Sequence, residues 1–195
     1  MTNVPTERDQ RVREAAAEQS ILDVAWAMTD SPLGDLLIAA TPRGLCRISF
    51  DPDPDAVLRK LAASFGGRVV SATGQFEELR RDLDLYFDHA SSTFESALDL
   101  GGVTPFQLEA LGELRRVPYG QTATYGELAV RLGRPRATRA VGGAMNRNPI
   151  PIVLPCHRVV GSQGELTGYA GGLDRKKQLL ALEGAMLGHA AHVDV

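Results

Sequence analysis

The chain has 195 residues, 44% of them hydrophobic, and a formal net charge of -3, which is room for one large domain or two small ones around a real core. Its two cysteines, Cys46 and Cys156, exclude a disulfide framework and a cysteine-rich zinc site. No apolar run approaches the roughly 20 residues that span a bilayer, and the charged start (Glu7, Arg8, Asp9, Arg11, Arg13) lacks a signal-peptide core, so the expectation is a cytoplasmic protein with no membrane partner.

Residues 1–20 are polar, Ala-rich and without sustained periodicity, and are expected to be a mobile extension or a loose helix. Short strand-like runs come next at 22–28, 35–40 and 45–50, separated by S-P-L-G and T-P-R-G turns, which predicts an antiparallel meander. Cys46 lies in L-C-R-I-S-F, alternates as a strand residue would, and reads as a core thiol. Two amphipathic helices are predicted over 54–65 and 76–88, then a short strand around 96–100. The Gly101-Gly102 pair closes a first domain, 21–102.

A second domain is expected over 103–187, with a tail at 188–195. Thr104, Pro105 and Gln107 read as a capping box and a first-turn proline opening a helix over 105–116. Thr124 and Glu127 form a second box, for a helix over 125–132 that ends at Gly133. Pro135 is expected to start the next helix, 135–146, and the pair makes a helix-turn-helix whose second member is the reader. Val141 and Met145 suit its core face. Arg136, Arg139 and Gly143 fall along another, beside Ala140. Gly142 and Gly143 each cost about 1 kcal/mol relative to alanine, so they serve either close approach to a bulky partner or tight helix packing. From Arg115 to Arg158 there are eight arginines against the single acid Glu127, a local balance of +7 that suggests a polyanion-binding face.

Residues 148–160 read N-P-I-P-I-V-L-P-C-H-R-V-V. Three prolines exclude helix interior and central strand, so a stiff, extended, buried rod is expected to carry Cys156, His157 and Arg158 to a fixed point. Most free cysteines are small core hydrophobes; here the two neighbours favour a thiolate. Adjacent side chains on extended backbone diverge, so a bridging water is the natural relay between Cys156 and His157. A carboxylate should orient the far nitrogen of His157, and spacing alone does not choose it. A glycine-rich turn or hairpin comes next, then a final helix capped by Asp174 with Leu179, Leu180 and Leu182 inward.

From Thr104 to Glu183 these pieces together resemble the O6-alkylguanine-DNA alkyltransferases, also called methylated-DNA-protein-cysteine methyltransferases. The resemblance rests on T-P-F-Q at 104, V-P-Y-G-Q-T-A-T-Y-G-E-L-A at 117, R-A-V-G-G-A-M at 139, N-P-I-P-I-V-L-P-C-H-R-V-V-G at 148, G-Y-A-G-G-L at 168 and L-L-A-L-E-G at 179. The first half is similar to the family's more variable domain through S-P-L-G, the Tyr86-Phe87 helix and L-D-L at 98. The resemblance implies an α+β chain, with a small N-terminal antiparallel sheet and helices before a mostly helical domain bearing a winged-helix-like, helix-turn-helix DNA-binding unit.

It further implies that Cys156 accepts a methyl or larger alkyl group from guanine O6, and also from thymine O4, in one irreversible step without a cofactor or metal. His157 would activate Cys156 through water, Glu183 would orient His157, and Asn148 would brace the turn. Tyr125, Val159, Tyr169, Ala170 and Gly171 would hold the extruded base, with Tyr125 easing departure of the guanine. Arg136, Ala137, Thr138, Arg139 and Gly142 would meet duplex DNA in the minor groove, Arg139 filling the vacated stack. A monomer is expected, with cooperative assembly on DNA left open. Position 170 is alanine where some members carry serine, and the structural zinc of some members finds no partner cysteines around Cys46. A non-catalytic sensor of alkylated DNA is the alternative, and retention of Cys156 argues against it. A methylation-triggered regulator lacks its cysteine-rich sensor module, and a cysteine hydrolase would need an oxyanion site that the sequence does not reveal.

Overall fold

The computed structural model describes residues 22–50 and 53–185; the expected extension at 1–20 and tail at 188–195 lie outside them. The described residues form two compact units. One runs to Tyr86 and includes Thr93–Gly102; the other comprises Phe87–Ser92 and the chain from Val103.

In the first unit, β1 (Val24–Thr29), β2 (Leu36–Thr41) and β3 (Gly44–Phe50) form the expected antiparallel meander. A fourth strand, β4 (Val69–Ser71), pairs parallel to β1, so the sheet is mixed, in the order β3-β2-β1-β4. Three half-buried residues are too few to leave a period in the sequence. The strand expected at 96–100 reduces to a single bridge, Leu45 to Leu98. Helix α1 (Pro54–Phe65) is capped by the Asp53 side chain, which accepts from Ala56 N, and buries Val57 and Leu61 against Val24, Leu37, Ala39 and Cys46. Cys46 is a core residue, its thiol donating to Ala39 O at 3.3 Å. A 3-10 turn, Thr73–Phe76, leads into α2 (Glu77–Phe87), where Leu79, Leu83 and Tyr86 face inward.

In the second unit α3 (Pro105–Leu114) opens on Thr104, whose hydroxyl accepts from Gln107 N. The expected box is only half made: the Gln107 amide instead donates to Arg147 O at 2.9 Å. The box at Thr124 and Glu127 is complete and starts α4 (Tyr125–Arg131). Gly133, at φ +67°, ends it in a Schellman motif, with Gly133 N bonded to Val130 O and Arg134 N to Ala129 O. Those bonds, and Ala137 N to Arg134 O, hold Pro135 and Arg136 in the turn, so α5 (Thr138–Asn146) starts three residues later than expected. Arg134 fastens the turn to α3, pairing with Glu109 at 2.8 Å and lying over the Phe106 ring.

The segment 148–160 is not an extended rod. Leu154 N bonds to Ile150 O, Cys156 N to Leu154 O, and Cys156–Arg158 make a 3-10 turn. Prolines forbid helix and ladder but leave their carbonyls free, and the Asn148 side chain holds the coil together, accepting from Ile150 N and donating to Leu154 O. Ile152 sits at φ +74°, a left-handed conformation that a β-branched residue adopts only when its surroundings impose it. After the turn, β6 (Val159–Val160) pairs parallel with β5 (Ala123–Thr124), and not as a hairpin with the glycine-rich segment that begins at Gly161. That pairing brings the end of the Cys156 turn alongside the start of α4. The last helix, α6 (Leu173–Leu182), begins at Gly172, φ +88°, with Asp174 inside its first turn and no side-chain cap. It buries Lys176, Leu179 and Leu180, with Leu182 only partly covered.

Candidate active site

Cys156 is 3% exposed and His157 fully enclosed. Their side chains take different partners. The Asn148 amide donates to Cys156 Sγ at 3.0 Å, while His157 Nε2 lies 2.8 Å from Glu183 Oε1. Glu183 is the carboxylate that spacing could not select. Arg158 grips it through two parallel bonds, Nε to Oε2 and Nη2 to Oε1, each 2.8 Å, and donates from Nη1 to Val117 O. Gly120 N adds a fourth donor to Glu183 at 3.2 Å.

These contacts set the charges. Although burial pushes the other way, the His157 and Arg158 bonds hold the Glu183 carboxyl down at about 2, so it is ionised and only accepts. The proton shared with it must therefore sit on His157 Nε2, which leaves Nδ1 as the basic atom. Burial lowers the His157 pKa more than Glu183 raises it, and the ring is neutral. Nδ1 has no hydrogen-bond partner among the described residues.

The expectation that His157 and Arg158 make Cys156 a resting thiolate is not met. Burial raises the thiol to about 11, against opposing contributions from the Asn148 amide and Lys176. His157 is neutral, and the Arg158 guanidinium is committed to Glu183. The resting nucleophile is a thiol.

Of the other expected residues, Tyr125 and Tyr169 lie within electrostatic reach of Cys156. Tyr125 accepts a bond from Thr167 Oγ1 at 3.2 Å, and burial and the charge of an ionised Cys156 both hold its hydroxyl protonated. Tyr169 is buried and likewise raised, by burial and then Cys156. Gly171 is buried and Ala170 exposed. Val159 is buried in β6, its carbonyl bonded to Lys176 Nζ. Arg136, Thr138 and Arg139 are exposed around the start of α5, with Ala137 and Gly142 partly covered. A Cβ on Gly142 would meet the Tyr125 ring only at 3.8 Å, and one on Gly143 would touch the flexible end of Arg147 at 3.3 Å. Neither glycine is therefore demanded by packing against another helix.

Lys176 is absent from the expected set, and Arg158 entered it only as a charged neighbour. In D-R-K-K-Q, Lys176 looks like part of a solvated face; only its spacing of three and four from Leu179 and Leu180 places it inward. No cluster of three or more His, Cys, Asp or Glu side chains suited to a metal occurs among the described residues, and no described helix is long and apolar enough to cross a membrane.

A helix-turn-helix unit followed by a turn that presents a buried cysteine, with a histidine and carboxylate beside it, defines a DNA-binding fold fitted with a nucleophile. Two family descriptions match the chain: 6-O-methylguanine DNA methyltransferase, DNA binding domain, over residues 105–185, and 6-O-methylguanine DNA methyltransferase, ribonuclease-like domain, over residues 24–100. A methylated-DNA–protein-cysteine methyltransferase of Methanosarcina acetivorans is 42% identical over 160 residues, covering 82% of this chain and 98% of that protein. The crystal structure of Mycobacterium tuberculosis OGT in complex with DNA has a TM-score of 0.73 and 37% identity over 82% of this chain and 92% of its own. The O6-methylguanine-DNA methyltransferase of Pyrococcus kodakaraensis has a TM-score of 0.62 and 30% identity, covering 83% and 99%. The chain belongs to the 6-O-methylguanine DNA methyltransferase family.

Proposed function

We propose that the protein repairs DNA directly, moving a methyl or larger alkyl group from guanine O6, or thymine O4, in duplex DNA to Cys156 Sγ in a single irreversible turnover. One observation carries the chemistry: His157 Nδ1 is the basic atom of a ring whose other nitrogen is fixed on an ionised carboxylate. Through a water it takes the Cys156 proton as the O6–alkyl bond breaks and the S–alkyl bond forms. The departing guanine regains a proton at N1, eased by the protonated Tyr125 hydroxyl. The products are a thioether and an unmodified base. Asn148, donating to Sγ, favours the developing thiolate.

Such chemistry needs the base outside the stack. Tyr125, Val159, Tyr169, Ala170 and Gly171 form the receiving pocket, and Arg139 occupies the space the nucleotide leaves. The small residues Ala137, Gly142 and Gly143 let α5 enter a minor groove that rejects bulkier helices, with Arg136 and Thr138 on the backbone. The protein acts as a monomer that can assemble cooperatively along DNA, in the cytoplasm, where thiols stay reduced. Residues 103–187 do the chemistry, and 21–102 support it.

Mass spectrometry after incubation with O6-methylguanine duplex tests this reading. One added methyl on the peptide containing Cys156 is expected; unchanged mass overturns it. For Arg139→Ala, slower repair of duplex and near-normal reaction with free O6-methylguanine are expected, and equal loss on both substrates would make Arg139 structural. Arg134 and Arg116 are held in ion pairs with Glu109 and Glu113, Arg158 is buried, and Arg139 fills the vacated stack, leaving Arg115, Arg131, Arg136 and Arg147 exposed for phosphates. Four such contacts give a slope of log K against log salt of about -3 to -4. A slope near -7, as the local charge alone suggests, would show that the paired arginines also bind.

A further inference from the structure

Gln107 stands where its side chain has a local partner within reach. It is the third residue of α3, three after the capping Thr104, and a glutamine there can turn back to the N–H of the cap. Its amide instead crosses 40 positions of sequence to donate to Arg147 O at 2.9 Å, and the residue is buried. Arg147 closes α5, its own N–H bonded to Gly143 O and Met145 O.

The carbonyl of Arg147 and the N–H of Asn148 belong to one planar peptide group. Gln107 holds the carbonyl side, and Met145 O accepts from the N–H at 3.2 Å, so the orientation of that plane is set from both sides. Every bond of the Asn148 side chain points forward along the chain: Oδ1 accepts from Ile150 N, and Nδ2 donates to Leu154 O and to Cys156 Sγ. The gripped peptide is therefore the backward anchor of the one side chain that donates to the nucleophile. Phe106 and Glu109, the neighbours of Gln107 on α3, hold Arg134 in the turn before α5. That ion pair is half exposed and is worth little; the bond at Arg147 O is the one that fixes the helix where it meets the Cys156 segment.

We infer that Gln107 is a positioning residue for the alkyl transfer: by gripping the last peptide of the reading helix from α3, it sets the orientation of Asn148 and, through Asn148, of Cys156 Sγ. This rests on the transfer reading above. The amide of Gln107 donates to a carbonyl and not to the thiol, so its effect has to pass through Asn148, which makes it separable from a role in folding. Without the donor, Arg147 O loses its partner, the peptide is free to turn, and the Asn148 amide loses its aim at Sγ. Small displacements of a reacting group cost large factors in rate. The exposed arginine side chains are long enough to absorb the same displacement and keep their contact with phosphates.

Gln107→Met keeps the length of the side chain and removes both amide hydrogens. With O6-methylguanine duplex in saturating excess, the experiment measures the single-turnover rate constant and the fraction of Cys156 methylated; unfolded molecules lower the fraction and leave the rate constant unchanged. The rate constant should fall at least about tenfold, while affinity for the duplex, read in a Cys156→Ser background, stays within about twofold. In an Asn148→Ala background the same substitution should cost less than about twofold, because the contact through which Gln107 acts is already gone. A smaller fall in the rate constant, a comparable loss of affinity, or an equal loss in both backgrounds overturns the inference. Should Gln107→Met not fold, Gln107→Asn, whose amide falls one methylene short of Arg147 O, is measured in its place with the same outcomes. Absence of any methyl on wild-type Cys156 would instead remove the transfer reading itself.

Discussion

Cys156→Ser is expected to give a protein that folds, binds alkylated duplex DNA and transfers nothing. Serine occupies nearly the same volume, and the Asn148 amide that donates to Sγ donates equally well to a hydroxyl. Chemically the change is severe. A thiol already raised to about 11 is within reach of a neutral imidazole aided by Asn148 and a nearby ammonium, and an alcohol is several pKa units further away. The rate should drop by more than about 10⁴-fold, as loss of a nucleophile does elsewhere. Cys46 offers no substitute: it lies in the other unit's sheet, its thiol raised to about 12 and donating to Ala39 O. Mass spectrometry of Cys156→Ser after prolonged incubation should show no added methyl, and a gel shift should show retained binding. A methylated Cys156→Ser protein would move the acceptor to another residue.

Glu183→Gln should damage both rate and stability, with the stability loss depending on pH. The amide cannot neutralise Arg158, and it permits His157 to adopt either tautomer. Losing the general base's orientation costs about 10²–10³-fold in the transfer rate, and leaving the Arg158 guanidinium buried without its partner costs about 3–5 kcal/mol. Glu183 has a folded pKa of about 2 against 4.5 unfolded, so its contribution is complete above pH 4.5 and is lost as pH falls toward 2. Integrated, that is about 3 kcal/mol. His157, lowered in the fold, must also be kept neutral, and its contribution fades below 6.5. Wild type should therefore weaken in two stages on acidification, and Glu183→Gln should lose the lower one. Denaturant unfolding at pH 7 and pH 3 checks this, and an equal difference between the two proteins at both pH values would refute the assignment.

The elements most legible in the sequence are those whose signals are local. Alternation gave the meander, and Thr124 with Glu127 gave both the start of α4 and its cap. Local signals also misled where a tertiary partner overrode them: Gln107 turns away from its own helix to Arg147 O, and the Schellman bonds after α4 keep Pro135 out of α5. The proline-rich stretch was readable as rigid but not as coiled, because the group that coils it is the side chain of Asn148 reaching across six residues. The site was legible through its motifs. Its charges were not, since sequence adjacency of Cys156, His157 and Arg158 says nothing about Arg158 facing Glu183, nor about a lysine arriving from α6.

The depth at which Cys156 lies has a consequence for the protein before it meets DNA. A nucleophile that reacts once must survive the interval until its substrate appears, among peroxides and other soluble electrophiles that attack thiolates. Enclosed and protonated, Cys156 is a poor target for them. The same enclosure that makes the thiol reluctant gives the unreacted protein its working lifetime, and leaves the damaged base, delivered into the pocket, as the reagent placed to end it.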